Sequence, residues 1–359
     1  MKPVYIISSS CISPQASFHN ENLDIPLHHT NENVFYCIEP DYSKFINPVQ
    51  IRRMSRALKM GFTAAIDCLQ KAGDPRPQGI IIGTGKGCMT DTEQFLHSMR
   101  EFNETALNPT NFIHSTYNQI NGMVALNKKI NSYNVTYVHR GFSFEHSLID
   151  AMMLIDDGDA EMVLTGSFDE MTSEHFDVKQ IWGFWKEEKI DSNQLMLSQT
   201  GGTIAGEGTS FYLLSNQKPS SIAVALQDIR TLYKPSNDDI KNTLNLILKD
   251  NEITHDDIDI IMLGESGDYH RQAPYQLIRE ALPMSQPLVF KHLCGEYDTS
   301  TNFAFWLSTE ILQHQSIPRY LISPLNQLIK PSSSSIKTIL IYNNYFEQNQ
   351  SMILLRLAD

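Results

Sequence analysis

Residues 134–161, NVTYVHRGFSFEHSLIDAMMLIDDGDAE, constrain this chain more than any other stretch, because they read as a short strand that breaks at once into a helix. The strand covers 135–139, and beyond it Leu148, Ile149, Met152, Met153 and Ile155 recur at helical spacing. A sharp turn between the two holds a side chain out at a helix N-terminus, where unpaired N–H groups and the macrodipole stabilise an anion. Such an elbow suits a nucleophile, and here it holds Gly141. Ser143 lies inside FSFEHS and not in a GxSxG turn, so it reads as a helix-start residue.

Around the elbow the chain alternates strands and helices. Strands are expected at 4–9, 79–83, 162–166 and 209–214, with helices at 52–71 and 117–126 and an irregular, Trp-containing stretch at 172–198. The second half replays the first, with strands at 221–229, 258–263, 288–293, 338–342 and 352–357 and helices at 237–249 and 301–312. Self-similarity at that scale points to a duplicated α/β fold and not to a solenoid of short repeats. A length of 359 residues suits two halves, 1–217 and 218–359, joined near NQKPS at 216–220. Ser332–Ser335 is the one low-complexity run and reads as a surface loop.

Composition excludes several functions. A net charge of −13 opposes a phosphate-tracking surface, which needs an excess of Lys and Arg, so no nucleic-acid partner is expected. No run approaches eighteen uninterrupted apolar residues, and the N-terminal apolar run is too brief for a signal-peptide core; the expectation is a cytoplasmic chain without a membrane span. Cys11, Cys37, Cys68, Cys88 and Cys294 form no CxxC pair and read as small buried hydrophobes. The twelve histidines show no ligand spacing, so neither a metal nor another cofactor is expected. The GTGKG run at 83–87 lacks the GxxxxGK[ST] spacing of a phosphate cradle and is explained by a glycine turn after a buried strand. Arg52, Arg53, Arg56 and Lys59 place positive charge on adjacent turns of one helix, either a solvated face or a docking patch.

Taken together, several segments resemble the β-ketoacyl synthases of the thiolase superfamily. They are VYIISSSCISP, RRMSRALKMGFTAAIDCLQKAG, IIIGTGKG, NPTNFIHSTYNQINGMVAL with Asn118 and Gly122, HSLIDAMMLIDDGDAEMVLTGSFDEM and AGEGTSFYLL. Their order and spacing extend over nearly the whole length. The resemblance implies a thiolase-like fold, a duplicated five-layer α-β-α-β-α arrangement with two mixed sheets. It also implies a Cys-His-His condensing site, in which a thiolate takes the acyl chain and two histidines stabilise developing charge. Carried onto this sequence, the nucleophile position falls on Gly141, the first histidine on Gly264 in GESGD, and the second on Glu296 in KHLCGE, while the family lysine persists as Lys291. The family's GFGG loop falls on 345–348, Tyr-Phe-Glu-Gln, keeping the gating phenylalanine as Phe346.

None of the three replacements can do the original chemistry. The resemblance therefore points to the subclass without a nucleophile, the chain-length factors, which pair with an active ketosynthase in polyketide or polyene synthesis, with a lean toward the aryl-polyene and flexirubin pigment systems. It implies a heterodimer through the central sheet, an acyl carrier protein engaged mainly by the partner with Arg52, Arg53, Arg56 and Lys59 as this chain's share, and a reach into the partner's tunnel by Phe112, His114, Ser115, Tyr117 and Asn118. Lys291 and Glu296 are expected to pair in the vacated site, removing the cost of burying either charge alone. Two alternatives stand beside this reading: an acyl-condensing or decarboxylating enzyme with an unfamiliar site among His139, His146, His270, Cys294 and Glu296, and a homodimeric scaffold.

Overall fold

A computed structural model describes residues 2–20, 23, 27–220, 222–322 and 335–358. Ten strands form one mixed sheet in the order β3-β2-β4-β5-β1-β6-β10-β9-β7-β8. Its first half is β1 (Val4–Ile12), β2 (Gly79–Gly83), β3 (Tyr133–Tyr137), β4 (Met162–Asp169) and β5 (Gly208–Ser215); its second is β6 (Ala223–Tyr233), β7 (Ile260–Leu263), β8 (Gln286–Val289), β9 (Thr338–Tyr345) and β10 (Asn349–Ala358). The pairing repeats strand for strand. β1 runs antiparallel to β5 and β5 to β4, while β4, β2 and β3 are parallel; β6, β10, β9, β7 and β8 follow the same sequence of directions. The two mixed sheets expected from the sequence are thus half-sheets, joined edge to edge where β1 meets β6 over Val4–Leu226, Tyr5–Ala225 and Ile6–Val224.

Because strand side chains alternate between faces, each half-sheet feeds two cores. Ile80 and Ile82 pack into the outer core beneath α2 (Arg56–Lys71) and α5 (Gln119–Lys128). Ile81 faces the central core beside Phe144, Leu148 and Met152 of α6 (Ser143–Asp156) and Phe303, Phe305 and Ile311 of α11 (Thr301–His314). The second half is built the same way: Ile260 and Met262 join that central core, whereas Ile261 and Leu263 meet α8 (Asn237–Asp250) and α9 (Ala273–Ala281). Three helical layers therefore bracket two half-sheets, and α6, which begins at the elbow, lies in the middle layer.

Several boundaries differ from the sequence reading, for identifiable reasons. The helix expected at 52–71 starts at Arg56, because the short helix α1 (Pro48–Ile51) precedes it and Ser55 takes the N-cap position. Residues 172–198 are not irregular: α7 (Ser173–Ile181) opens with the Thr172 side chain accepting from the His175 N–H. The strand expected at 288–293 stops at Val289; Phe290 leaves the extended region and Lys291–Cys294 makes a helical turn, α10, that aims Lys291 inward. Two further helices carry weak sequence signals, α3 (Met89–Glu101), in which Asp91 alone is buried, and α4 (Pro109–His114), which buries nothing. Ser332–Ser334 lie outside the described residues, as does Ser221. Among the described residues no helix is long and apolar enough to cross a membrane.

Candidate functional site

The elbow is present as expected. β3 ends at Tyr137, Arg140 adopts a left-handed conformation with φ 49°, and α6 starts at Ser143, whose Oγ accepts from the His139 N–H at 2.8 Å. A left-handed arginine is strained by about 1 kcal/mol or more, so the sharpness of the turn is held by its surroundings. What the elbow presents is a filled space. A Cβ at Gly141 would stand 2.7 Å from Cβ, Cγ and Cδ1 of Tyr345, inside van der Waals contact. The phenol ring from the end of β9 occupies the place where a nucleophilic side chain would project.

Gly264, where the first histidine was expected, is crowded in the same way. Gly264 follows β7, its N–H donates to the Tyr342 carbonyl at 2.9 Å, and its carbonyl accepts from the Tyr275 hydroxyl at 2.5 Å. A Cβ there would lie 2.1 Å from Oδ1 of Asn343. Asn343 in turn donates from Nδ2 to Thr301 Oγ1 at 2.8 Å. Glu296 Oε2 is ion-paired with the fully buried Lys291 ammonium, as expected, and Oε1 accepts from Ser300 Oγ at 3.0 Å. Burying both charges together avoids the several kcal/mol that either would cost alone.

Tyr345 is anchored by a buried polar cluster that no sequence motif announces. Its hydroxyl donates to Asp298 Oδ1 at 2.9 Å and accepts from Lys179 Nζ at 3.2 Å. Lys179, on α7, is 4 % exposed, and its ammonium lies 5.3 Å from the ring centroids of Phe184 and Trp185 and 5.9 Å from that of Phe346. Burial lowers the Lys179 pKa, against the pull of Asp298. Burial pushes the Asp298 carboxyl up, but Lys179 and Lys86, with the Tyr345 bond, outweigh it and hold the group below its ordinary value. Asp169 behaves oppositely: burial and the Asp298 charge raise it to about 6 despite bonds from Thr299, Gly85 and Thr84. The GTGKG turn is thereby accounted for. The Gly85 N–H donates to Asp169 at 2.9 Å, and a Cβ on Gly85 would stand 2.2 Å from Asp298 Cβ, so the glycine permits close approach of its own chain.

Phe346 and Glu347 open the three-residue turn, Phe346–Gln348, between β9 and β10, both left-handed with φ 49° and 60°. The Glu347 N–H is secured by Asn344 Oδ1 at 2.8 Å, and the Phe346 ring packs 4.3 Å from Phe184 under the Arg271 guanidinium at 4.6 Å. His139 and His146 meet on the outer side of the elbow, Nδ1 to Nδ1 at 3.3 Å, while His270 stands against Gly201 and Cys294 is enclosed. Burial raises the Cys294 thiol well above its ordinary value. These residues do not converge, and among the described residues no three His, Cys, Asp or Glu side chains gather in metal-ligating geometry. All five cysteines are buried.

Of the basic group, Arg56 turns inward to Glu39 and the buried Glu207, and Lys59 lies 5.6 Å from the Tyr42 ring centroid, whereas Arg52 and Arg53 are exposed. Phe112 and Tyr117 are about half exposed; the His114 side chain is 14 % exposed, Ser115 donates to the Phe112 carbonyl at 2.8 Å, and Asn118 is exposed at the start of α5. Beside them β3 is the sheet's edge, paired among the described residues with β2 alone, and Tyr133, Leu126, Ile113 and Val138 are exposed around it.

Residues 29–183 match the family model of the beta-ketoacyl synthase N-terminal domain. Solved structures with the same fold include the ishigamide ketosynthase/chain length factor, at 14 % identity over the whole of both chains with a TM-score of 0.76. Another is a ketosynthase (ApeO) in complex with its chain length factor (ApeC) from Xenorhabdus doucetiae, at 14 % identity and a TM-score of 0.76, covering 99 % of this chain and 98 % of that one. A third is a type II polyketide synthase acyl-carrier protein in complex with its ketosynthase bound to the hexaketide, at 13 % identity over the whole of both chains with a TM-score of 0.75. No curated protein matches the chain in sequence.

Proposed function

We propose that this chain is a non-condensing, chain-length-factor-type subunit that pairs with an active β-ketoacyl synthase in polyketide or polyene synthesis. The observation that carries the reading is the packing of Tyr345 against Gly141, with Asn343 against Gly264 and the Lys291–Glu296 pair at the third position. Each vacated position is occupied by the chain's own side chains, which leaves neither a thiolate nor an imidazole there. Cys294 offers no substitute, since burial keeps it as a thiol. The partner is expected along the β3 edge, because an unpaired strand with exposed apolar neighbours is a template for a second chain. Phe112, His114, Ser115, Tyr117 and Asn118 then reach toward the partner's tunnel and cap the growing product. Carrier protein is delivered to the partner, with Arg52 and Arg53 as the exposed members of the basic group Arg52, Arg53, Arg56 and Lys59; the pigment pathways of the aryl-polyene or flexirubin type are the leading setting.

The test is to purify the chain with and without a candidate active ketosynthase and carrier protein and to follow assembly and product length. A stable heterodimer whose products change length on Tyr117→Ala or His114→Ala supports the proposal. A chain that forms only homodimers, or products unaltered by both variants, refutes it in favour of a scaffold.

A further inference from the structure

A cavity of about 500 Å³ opens between the entry to α2, α3 and α4, away from the vacated condensing positions, and is lined by Arg52, Arg53, Ser55, Asp91, Gln94 and Asn111 among others. Asp91 is only 3 % exposed, and its Oδ2 has no hydrogen-bond partner. Its other oxygen stands 3.6 Å from His114 Nδ1, too far for a hydrogen bond. Ser55 Oγ, at the N-cap position of α2, makes no capping bond and is likewise buried without a partner, as is His114 Nδ1. Three buried polar groups without a well-formed hydrogen bond thus face one another at or beside one cavity, with Ser55 and His114 as the nearest donors to the Asp91 carboxylate, although native proteins leave few such groups unpaired. At the mouth, Arg52 and Arg53 are exposed and have no ion-pair partner among the described residues, in a chain whose net charge is −13.

The floor therefore asks for a charged donor and the rim for an anion. A buried carboxylate oxygen recovers its lost hydration from an ammonium, and neighbouring guanidinium groups recognise phosphate or carboxylate. The volume falls in the range of small-molecule sites. We propose that this cavity binds a small zwitterion, its protonated amine on Asp91 and Ser55 and its phosphate or carboxylate between Arg52 and Arg53. The site stands on the geometry of this chain alone and does not depend on the pairing proposed above.

Titration calorimetry of the full chain with phosphoethanolamine and with 4-aminobutyrate tests the site and separates the two anion classes. At least one zwitterion is expected to bind roughly tenfold or more tightly than inorganic phosphate and than ethylammonium, the increment of one charge-assisted bond. Asp91→Asn is expected to weaken that binding at least about tenfold, and so is the surface pair Arg52→Ser with Arg53→Ser, which reports on the site even if the Asp91 variant does not fold. No heat from either zwitterion at about 10 mM, binding of phosphate as tight as that of the zwitterion, or affinity untouched by the arginine pair overturns the assignment.

Discussion

Placing a thiol at the elbow by Gly141→Cys is expected to damage the protein without creating an enzyme. The new Cβ would meet three atoms of Tyr345 at 2.7 Å, and the sulfur would extend further into the same ring. Tyr345 has little room to yield, since its hydroxyl is held between Asp298 and Lys179 and its ring lies 4.7 Å from that of Phe346. Overpacking of this kind costs about 1–3 kcal/mol, and a shift that detached the phenol from Asp298 would add about 1–3 kcal/mol for the uncompensated buried group. Calorimetric melting of wild type, Gly141→Cys, Tyr345→Gly and the double variant measures the coupling directly. Both single variants are expected to be destabilised, and the double variant to be better than their sum by at least about 1 kcal/mol, because the smaller residue at 345 makes room for the thiol. A Gly141→Cys protein as stable as wild type, or strictly additive effects, would refute the claim that Tyr345 fills the nucleophile's place.

Lys291→Met is expected to cost about 3–5 kcal/mol by leaving Glu296 buried and unpaired, while Lys291→Met with Glu296→Leu should recover most of that loss; equal damage from both, read by chemical denaturation, would show that the pair is not what the site needs. Asp169 titrates near 6 in the folded chain, above its ordinary value, so the folded state holds the extra proton and stability falls as pH rises from about 4 to about 6. Asp169→Asn removes that dependence, and its melting temperature relative to wild type is expected to improve across this window; a constant difference would contradict the assignment. Tyr133→Asp together with Val138→Asp places charge on the β3 edge and should abolish pairing with a ketosynthase in size-exclusion chromatography while leaving the subunit folded, as the Tyr133 and Val138 side chains are exposed; a heterodimer that survives removes that edge from the interface.

The elements built on periodic burial were legible from the residues. Ile80, Ile81 and Ile82 announce a strand buried on both faces, and the α6 residues Leu148, Met152 and Ile155 are all buried in the central core. The helices that escaped notice have little apolar face to display: α3 buries only Asp91, and α7 buries Lys179, a charge that hydropathy assigns to the surface. The glycine at the elbow and the Lys291–Glu296 contact were also within reach of the sequence, since both lie inside short motifs. What packs against that glycine was not. Tyr345 lies about two hundred residues beyond Gly141, and Asn343 reaches Gly264 through the pairing of β9 with β7; a single sequence does not record such long-range contacts. The same holds for the cavity at Asp91, assembled from the entry to α2 together with α3 and α4, whose own signals are weak.

The measurement closest to the central claim is acyl transfer by the purified chain alone. Incubated with acyl- and malonyl-carrier protein and examined by intact-protein mass spectrometry and carbon dioxide release, the chain is expected to gain no acyl group and to release no carbon dioxide, with condensation appearing only when an active ketosynthase is added. An acyl adduct on this chain, or decarboxylation by it that is lost on Cys294→Ala or His139→Ala, would contradict the account and make it an enzyme in its own right.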